Sequence, residues 1–229
     1  MVGKYISQKD FIDIYDKGQK EFSNILLQWI DLSGKTFEDI IVKDSNIMFC
    51  TFRNCTFKNC KFINCEVFFG TWYYGDVKGV LFDKCMIDMT MFDTVRFEKT
   101  KIANSNLRTT GILASNASDV DTSTSTKFRF VTDISQLSPQ EIEVIIMESI
   151  DIINKFDIGI RMKFIEATRQ YLERHKIDDP LEKKKDAYQT SDGEEAKVSY
   201  GEMKNFVESS LEAYKQSTDI YKSKKPGYK

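Results

Sequence analysis

The chain has 229 residues, enough for one elongated domain and a second, smaller module. Its 33 basic and 35 acidic residues nearly cancel, which removes any general electrostatic attraction to nucleic acid or to an anionic membrane. No run approaches the roughly eighteen apolar residues of a membrane-spanning helix, and the opening MVGKYISQKDFIDIYDKG lacks the apolar core and cleavage site of a secretory signal. The expected location is the cytoplasm.

Residues 1–19 form the first unit. Within them, SQKDFIDIYDKG at 7–18 predicts a short helix, with Ser7 as N-cap, Asp10 in the first turn and Gly18 just past the end. Phe11, Ile14 and Tyr15 share one face, suited to sealing the end of a larger apolar core.

Residues 20–117 carry a period of five. Every fifth residue from Phe22 to Ile112 is apolar, nineteen in succession. Two residues before each lies a mostly small residue, among them Ser45, Cys50, Cys55, Cys60, Cys65, Gly70, Gly75, Cys85 and Ser105. Five fits neither the 3.6-residue period of a helix nor the two-residue period of a strand, so the chain must coil on itself as a solenoid.

The best units are Cys50-Thr51-Phe52-Arg53-Asn54, Cys55-Thr56-Phe57-Lys58-Asn59 and Cys60-Lys61-Phe62-Ile63-Asn64. This block resembles the pentapeptide-repeat family: a small residue, a polar one, a central Leu or Phe, then two polar ones. The resemblance implies a right-handed, four-sided β-helix with four repeats per coil, hence about five coils and a rod of roughly 24 Å at one strand spacing per coil. Residues twenty apart then become neighbours. Leu32, Phe52, Trp72, Phe92 and Ile112 form one interior ladder, and Phe62, Phe82 and Ile102 another. Trp72 is oversized, and Gly70 and Gly75 are expected to make room for it. Asn54, Asn59 and Asn64 fall at corners, which Asn tolerates.

All five cysteines lie on the small-residue series, and the only histidine is His175, so the spacing is not that of a zinc site. Cys at these positions reads as a small apolar residue, and a Cys65–Cys85 disulfide is not expected.

The period fails over SDVDTSTSTK, and residues 118–137 read as an exit loop. Residues 138–175 read as a helical module opened by Ser138-Pro139-Gln140-Glu141. Apolar residues nearly surround its first half, which points to burial on more than one side. Ile145, Ile146, Ile153, Phe156, Ile160 and Phe164 are the candidate oligomerisation residues, implying a two-fold homodimer. Residues 176–198 read as a flexible linker. Residues 199–229 read as an amphipathic helix, opened by Ser199-Tyr200-Gly201-Glu202, and a basic tail.

No phosphate loop, dinucleotide fingerprint, paired-histidine helix or nucleophile elbow is present, and His175 suits a helix C-terminus. The chain is therefore expected to be no enzyme and to need no cofactor or metal. The outward slots are mostly charged, with one exception. Met48, Phe49, Phe68, Phe69 and Met89 recur at twenty-residue spacing, with Tyr73 and Tyr74 one side further round, and this stripe is the candidate protein-binding site.

The expected function is thus a non-catalytic protein-binding scaffold with a protein partner of unknown identity. The alternative implied by the resemblance is modulation of a type II topoisomerase, such as DNA gyrase, by a rod that imitates DNA. That requires a dominantly acidic face, yet residues 22–117 hold ten acids and eleven bases. Direct nucleic-acid binding is not expected.

Overall fold

The computed structural model describes residues 3–113, 115, 117–132, 138–154 and 204. The chain divides into two compact units, 1–136 and 137–229. The first is a solenoid of parallel strands, four to a turn. One ladder stacks β2 (Glu21–Ser23), β5 (Ile41–Lys43), β9 (Lys61–Ile63), β13 (Leu81–Asp83), β17 (Thr100–Ala103) and β19 (Val120–Asp121). The next runs through β3 (Ile25–Gln28), β6 (Asn46–Met48), β10 (Glu66–Phe68), β14 (Met86–Asp88), β18 (Asn106–Leu113) and β20 (Thr126–Val131), with β1 (Lys4–Tyr5) beneath β3. A third, of β7 (Thr51–Arg53), β11 (Thr71–Tyr73) and β15 (Met91–Asp93), joins the second half of β18. The fourth is β4 (Thr36–Glu38), β8 (Thr56–Lys58), β12 (Asp76–Lys78) and β16 (Arg96–Glu98).

Each pentad works the same way. Three residues make a short strand whose central side chain points inward, and the fourth turns the corner with positive φ. Asn54, Asn59 and Asn64 do so at 53°, 53° and 52°. The fifth, small residue points inward. Registers are offset by twenty residues, as in Phe52↔Trp72↔Phe92, so like side chains stack. Phe62 lies over Phe82 at 4.8 Å between ring centroids, and Trp72 lies between Phe52 at 4.4 Å and Phe92 at 4.7 Å.

The small residues close the hydrogen-bond account. Thr110 Oγ1 donates to the carbonyls of Arg108 at 3.1 Å and Ile87 at 2.8 Å. Cys60 Sγ reaches the equivalent carbonyls of Lys58 at 3.2 Å and Phe37 at 3.4 Å. Cysteine here takes the place of a buried hydroxyl whose partners the backbone supplies.

At the N-terminal end, Ser7 caps α1 (Gln8–Asp16), and Phe11 packs on Phe22 at 4.7 Å. The first coil would otherwise leave amides unpaired. Asp31 N donates to Gln8 Oε1, Glu38 N to Tyr15 Oη, and β1 covers β3. The helix therefore closes the edge as well as the apolar core.

At the other end the expectation of an exit loop from residue 118 is corrected. β19 and β20 continue the solenoid, so one ladder holds six strands where about five coils were expected. The central positions have become Thr122 and Lys127, but the small-residue series persists through Ser115, Val120 and Ser125. Ser125 Oγ donates to Ile102 O at 2.8 Å, just as Thr110 does one coil below.

In the second unit, α2 (Pro139–Ile153) begins with a reciprocal capping box. Ser138 N donates to Glu141 Oε2 at 2.8 Å, and Glu141 N to Ser138 Oγ at 3.3 Å. The expected linker 176–198, His175 and, apart from Lys204, the second amphipathic helix within 199–229 lie outside the described residues. No helix among those described is long and apolar enough to cross a membrane.

Candidate protein-interaction surface

The solenoid has four columns of corner residues, each in the left-handed conformation that costs most side chains steric energy. One column reads Asn24, Asp44, Asn64, Lys84, Asn104; another Asp39, Asn59, Gly79, Lys99. These are the polar or glycine residues that such corners favour. A third column instead reads Trp29, Phe49, Phe69, Met89, then Thr109 and Arg129. Bulky aromatics gain nothing from positive φ, so packing must hold them there.

The rings form a continuous stack. Trp29 lies on Phe49 at 4.2 Å and 6° between planes, and Phe49 lies on Phe69 at 5.2 Å and 10°. Phe68 meets Phe69 edge-on at 4.7 Å. Phe49, outward by the repeat register, is only 8% exposed. Met48, Phe68, Phe69, Tyr73 and Met89 are half-buried, and Tyr74, at the next corner, is 48% exposed. The structure thus brings together the stripe read from the sequence and adds Trp29, whose twenty-residue spacing from Phe49 is the signal that identifies it.

Two carboxylates belong to the same sheet. Asp88 follows Phe68 in register and is 6% exposed, with Arg108 Nε 3.9 Å from its Oδ2. Asp93 sits between Tyr73 and Leu113 on adjacent coils, and burial raises its pKa to about 6 against one opposing hydrogen bond from Thr94 Oγ1. Elsewhere, charges are matched between coils. Arg96 Nε lies 2.6 Å from Asp76, Lys78 is paired with Glu98, and Lys101 with Asp121.

The thiols are placed as core groups. Burial pushes Cys50 up to about 12 and Cys55 and Cys60 to about 11, and contact with Cys65 raises Cys85 further. Thiols held protonated in this way are poor nucleophiles and poor metal ligands. Among the described residues no group of His, Cys, Asp or Glu is arranged to hold a metal. Of the candidate oligomerisation residues, Ile145, Ile146 and Ile153 lie on α2, whereas Phe156, Ile160 and Phe164 fall outside the described residues.

With this geometry established, comparison with known proteins defines the architectural class. The structure is similar to the crystal structure of a pentapeptide repeat protein, Rfr23, from the cyanobacterium Cyanothece 51142. The TM-score is 0.51 at 9% identity, over 56% of this chain and 100% of that one. Two further likenesses are too loose to carry an argument. HetL of Nostoc sp. strain PCC 7120, a pentapeptide repeat protein involved in heterocyst differentiation regulation, gives 0.13 at 12% identity, over 47% of this chain and 66% of that one. QnrB1, a plasmid-mediated fluoroquinolone resistance protein, gives 0.16 at 12% identity, over 47% and 73%. No family model and no curated protein matches the chain. The protein has the pentapeptide-repeat fold, a mainly β solenoid with a short N-terminal capping helix.

Proposed function

We propose that this protein is a non-catalytic, protein-binding scaffold whose interface is the face carrying Met48, Phe49, Phe68, Phe69, Tyr73, Tyr74 and Met89, extended by Trp29. The observation that carries the reading is the aromatic corner column. Two of the other columns use polar residues or glycine and the fourth reads Gly34, Asn54, Tyr74 and Thr94, whereas this one accepts the backbone cost at four successive corners to align large apolar side chains. Aromatic and methionine side chains on a rigid sheet give a partner area without the cost of ordering a loop. The partner is a protein with a complementary apolar surface, and the helical module of residues 138–175 joins two copies of the chain.

Phe69→Asp tests the interface. A folded solenoid by circular dichroism, together with loss of a protein that co-purifies with the wild type, is the expected result. If hydrogen exchange instead rises in residues 138–172 or 199–221 with no partner lost, the face is covered by the chain itself and the partner reading fails. A monomer mass by light scattering at all concentrations would remove the homodimer.

The alternative, a rod standing in for duplex DNA toward a type II topoisomerase, needs a row of acids free to imitate phosphates. Here Asp76, Glu98 and Asp121 each face a base twenty residues away. That pairing favours the scaffold, and no effect on gyrase supercoiling is the expected outcome.

A further inference from the structure

We propose that Asp93 and Tyr74 form a cation seat at the margin of the aromatic face, which takes a lysine or arginine side chain of the partner protein. The seat presupposes the protein-binding face and specifies what its partner carries. Asp93 is the third residue of β15, with Tyr73 in register on one adjacent coil and Leu113 on the other. Phe92 fills the core, so the Asp93 side chain points outward, half-buried between those two bulky neighbours. The Tyr74 amide donates to the Asp93 carbonyl at 3.2 Å, which sets that corner directly beside the carboxylate. Tyr74 is 48% exposed and held at a φ of 53°, in a corner column that otherwise reads Gly34, Asn54 and Thr94. An aromatic ring there gains neither an easy backbone nor full burial.

The carboxylate has a hydroxyl partner and no cation. Thr94 Oγ1 donates to its Oδ1 at 3.0 Å, and among the described residues no basic group lies within ion-pair distance of it. The nearest base along the chain, Arg96, lies on the next side and holds Asp76 Oδ1 at 2.6 Å. Asp88, on the preceding strand of the same coil, has Arg108 at 3.9 Å. Burial raises the Asp93 pKa to about 6, so at neutral pH the side chain is mostly ionised at a cost to the free protein. A cation brought by a partner offsets that cost, and the face of a tyrosine ring attracts the same charge. An acidic side chain at this place would instead meet an ionised carboxylate. The partner surface that fits is therefore apolar over Phe49 and Phe69 and basic at Asp93.

The test titrates the isotopically labelled full-length chain, up to millimolar ligand, with a capped peptide Leu-Ser-Lys-Ser-Leu and with its Gln-for-Lys counterpart. The resonances followed are those of Phe69, Tyr74 and Asp93. The Lys peptide should bind more tightly by about tenfold, and that preference should shrink as salt is raised. Asp93→Asn should abolish the preference while leaving the affinity of the Gln peptide as it was. Tyr74→Asn places a residue that suits the corner and should reduce the preference without disturbing the fold. Equal binding of the two peptides to the wild type, shifts confined to other residues, or a preference that survives in folded Asp93→Asn would overturn the seat and leave the aromatic face standing. Absence of any shift at Phe69 with either peptide would remove the face itself, and the seat with it. Phe69→Asp should weaken both peptides alike, so the apolar and the cationic contributions are read separately.

Discussion

A Cβ built on Gly70 would lie 2.6 Å from Cζ3 of Trp72. The glycine and the indole are therefore one packing unit within the Phe52–Trp72–Phe92 stack. Gly75, expected from the sequence to serve the same indole, does something else: its Cβ would meet the Cys55 carbonyl oxygen, also at 2.6 Å. Overpacking a filled core costs typically about 1–3 kcal/mol. Gly70→Ala should destabilise by that order, and Trp72→Phe, which empties the space, should reduce the penalty of the alanine. The measurement is a double-mutant cycle in urea. Additive costs would show that the two residues do not share the space.

The inside–outside assignment can be tested on one pair of neighbouring pentads. Phe62 is buried and stacked on Phe82, whereas Lys58 points outward between Glu38 and Lys78. Phe62→Asp should prevent folding, because it places a carboxylate where no partner exists. Lys58→Asp should move the urea midpoint by no more than about 0.5 kcal/mol. Comparable losses from the two variants would invert the assignment.

The solenoid was legible because its rule is local and repeated: one apolar centre and one small residue in every five, from Phe22 to Ile112. What escaped the sequence lies at the ends and corners, where the rule changes. Thr122, just past β19, and Lys127 in β20 take the central positions of the last described coil, where the apolar series has stopped. Only Ser115, Val120 and Ser125 kept the series. β1 has two residues and no repeat at all; its register with Ile25 and Leu26 is set by the edge it covers. The stripe was legible as apolar side chains in polar slots. That Phe49 is sandwiched between Trp29 and Phe69 was not, because repeat register says which way a residue points but not how its ring tilts.

The extra half-coil has a testable consequence. A chain ending after Thr132 keeps β19 and β20, whereas one ending at Thr122 strips β20 from β18 and exposes the longest strand in the solenoid. The longer form should retain the wild-type β signal and unfold cooperatively. The shorter form should melt lower or self-associate through β18, read by circular dichroism and light scattering. Equal melting of the two would mean that the last strands add nothing to the core.

Asp93 should make the protein less stable as pH rises through the weakly acidic range. Burial between Tyr73 and Leu113 raises its pKa from 3.8 to about 6, because the ionised form loses its hydration there. Below about pH 4 the carboxyl is protonated in both folded and unfolded chains, and it costs nothing on this account. Between about pH 4 and 6 the folded chain holds the proton more tightly, so unfolding free energy falls as pH rises; above that range the cost is constant. A shift of this size corresponds to at most about 3 kcal/mol. Asp13 and Asp121 work in the opposite direction, with pKa values lowered, Asp121 to about 2, so their contribution is lost only as pH falls below about 4. The two windows do not overlap. Asp93→Asn should therefore be more stable than wild type at pH 7 and lose most of that advantage by about pH 4, measured by urea unfolding at both values. A variant that follows the wild-type curve at both pH values would show that Asp93 is hydrated in the folded protein.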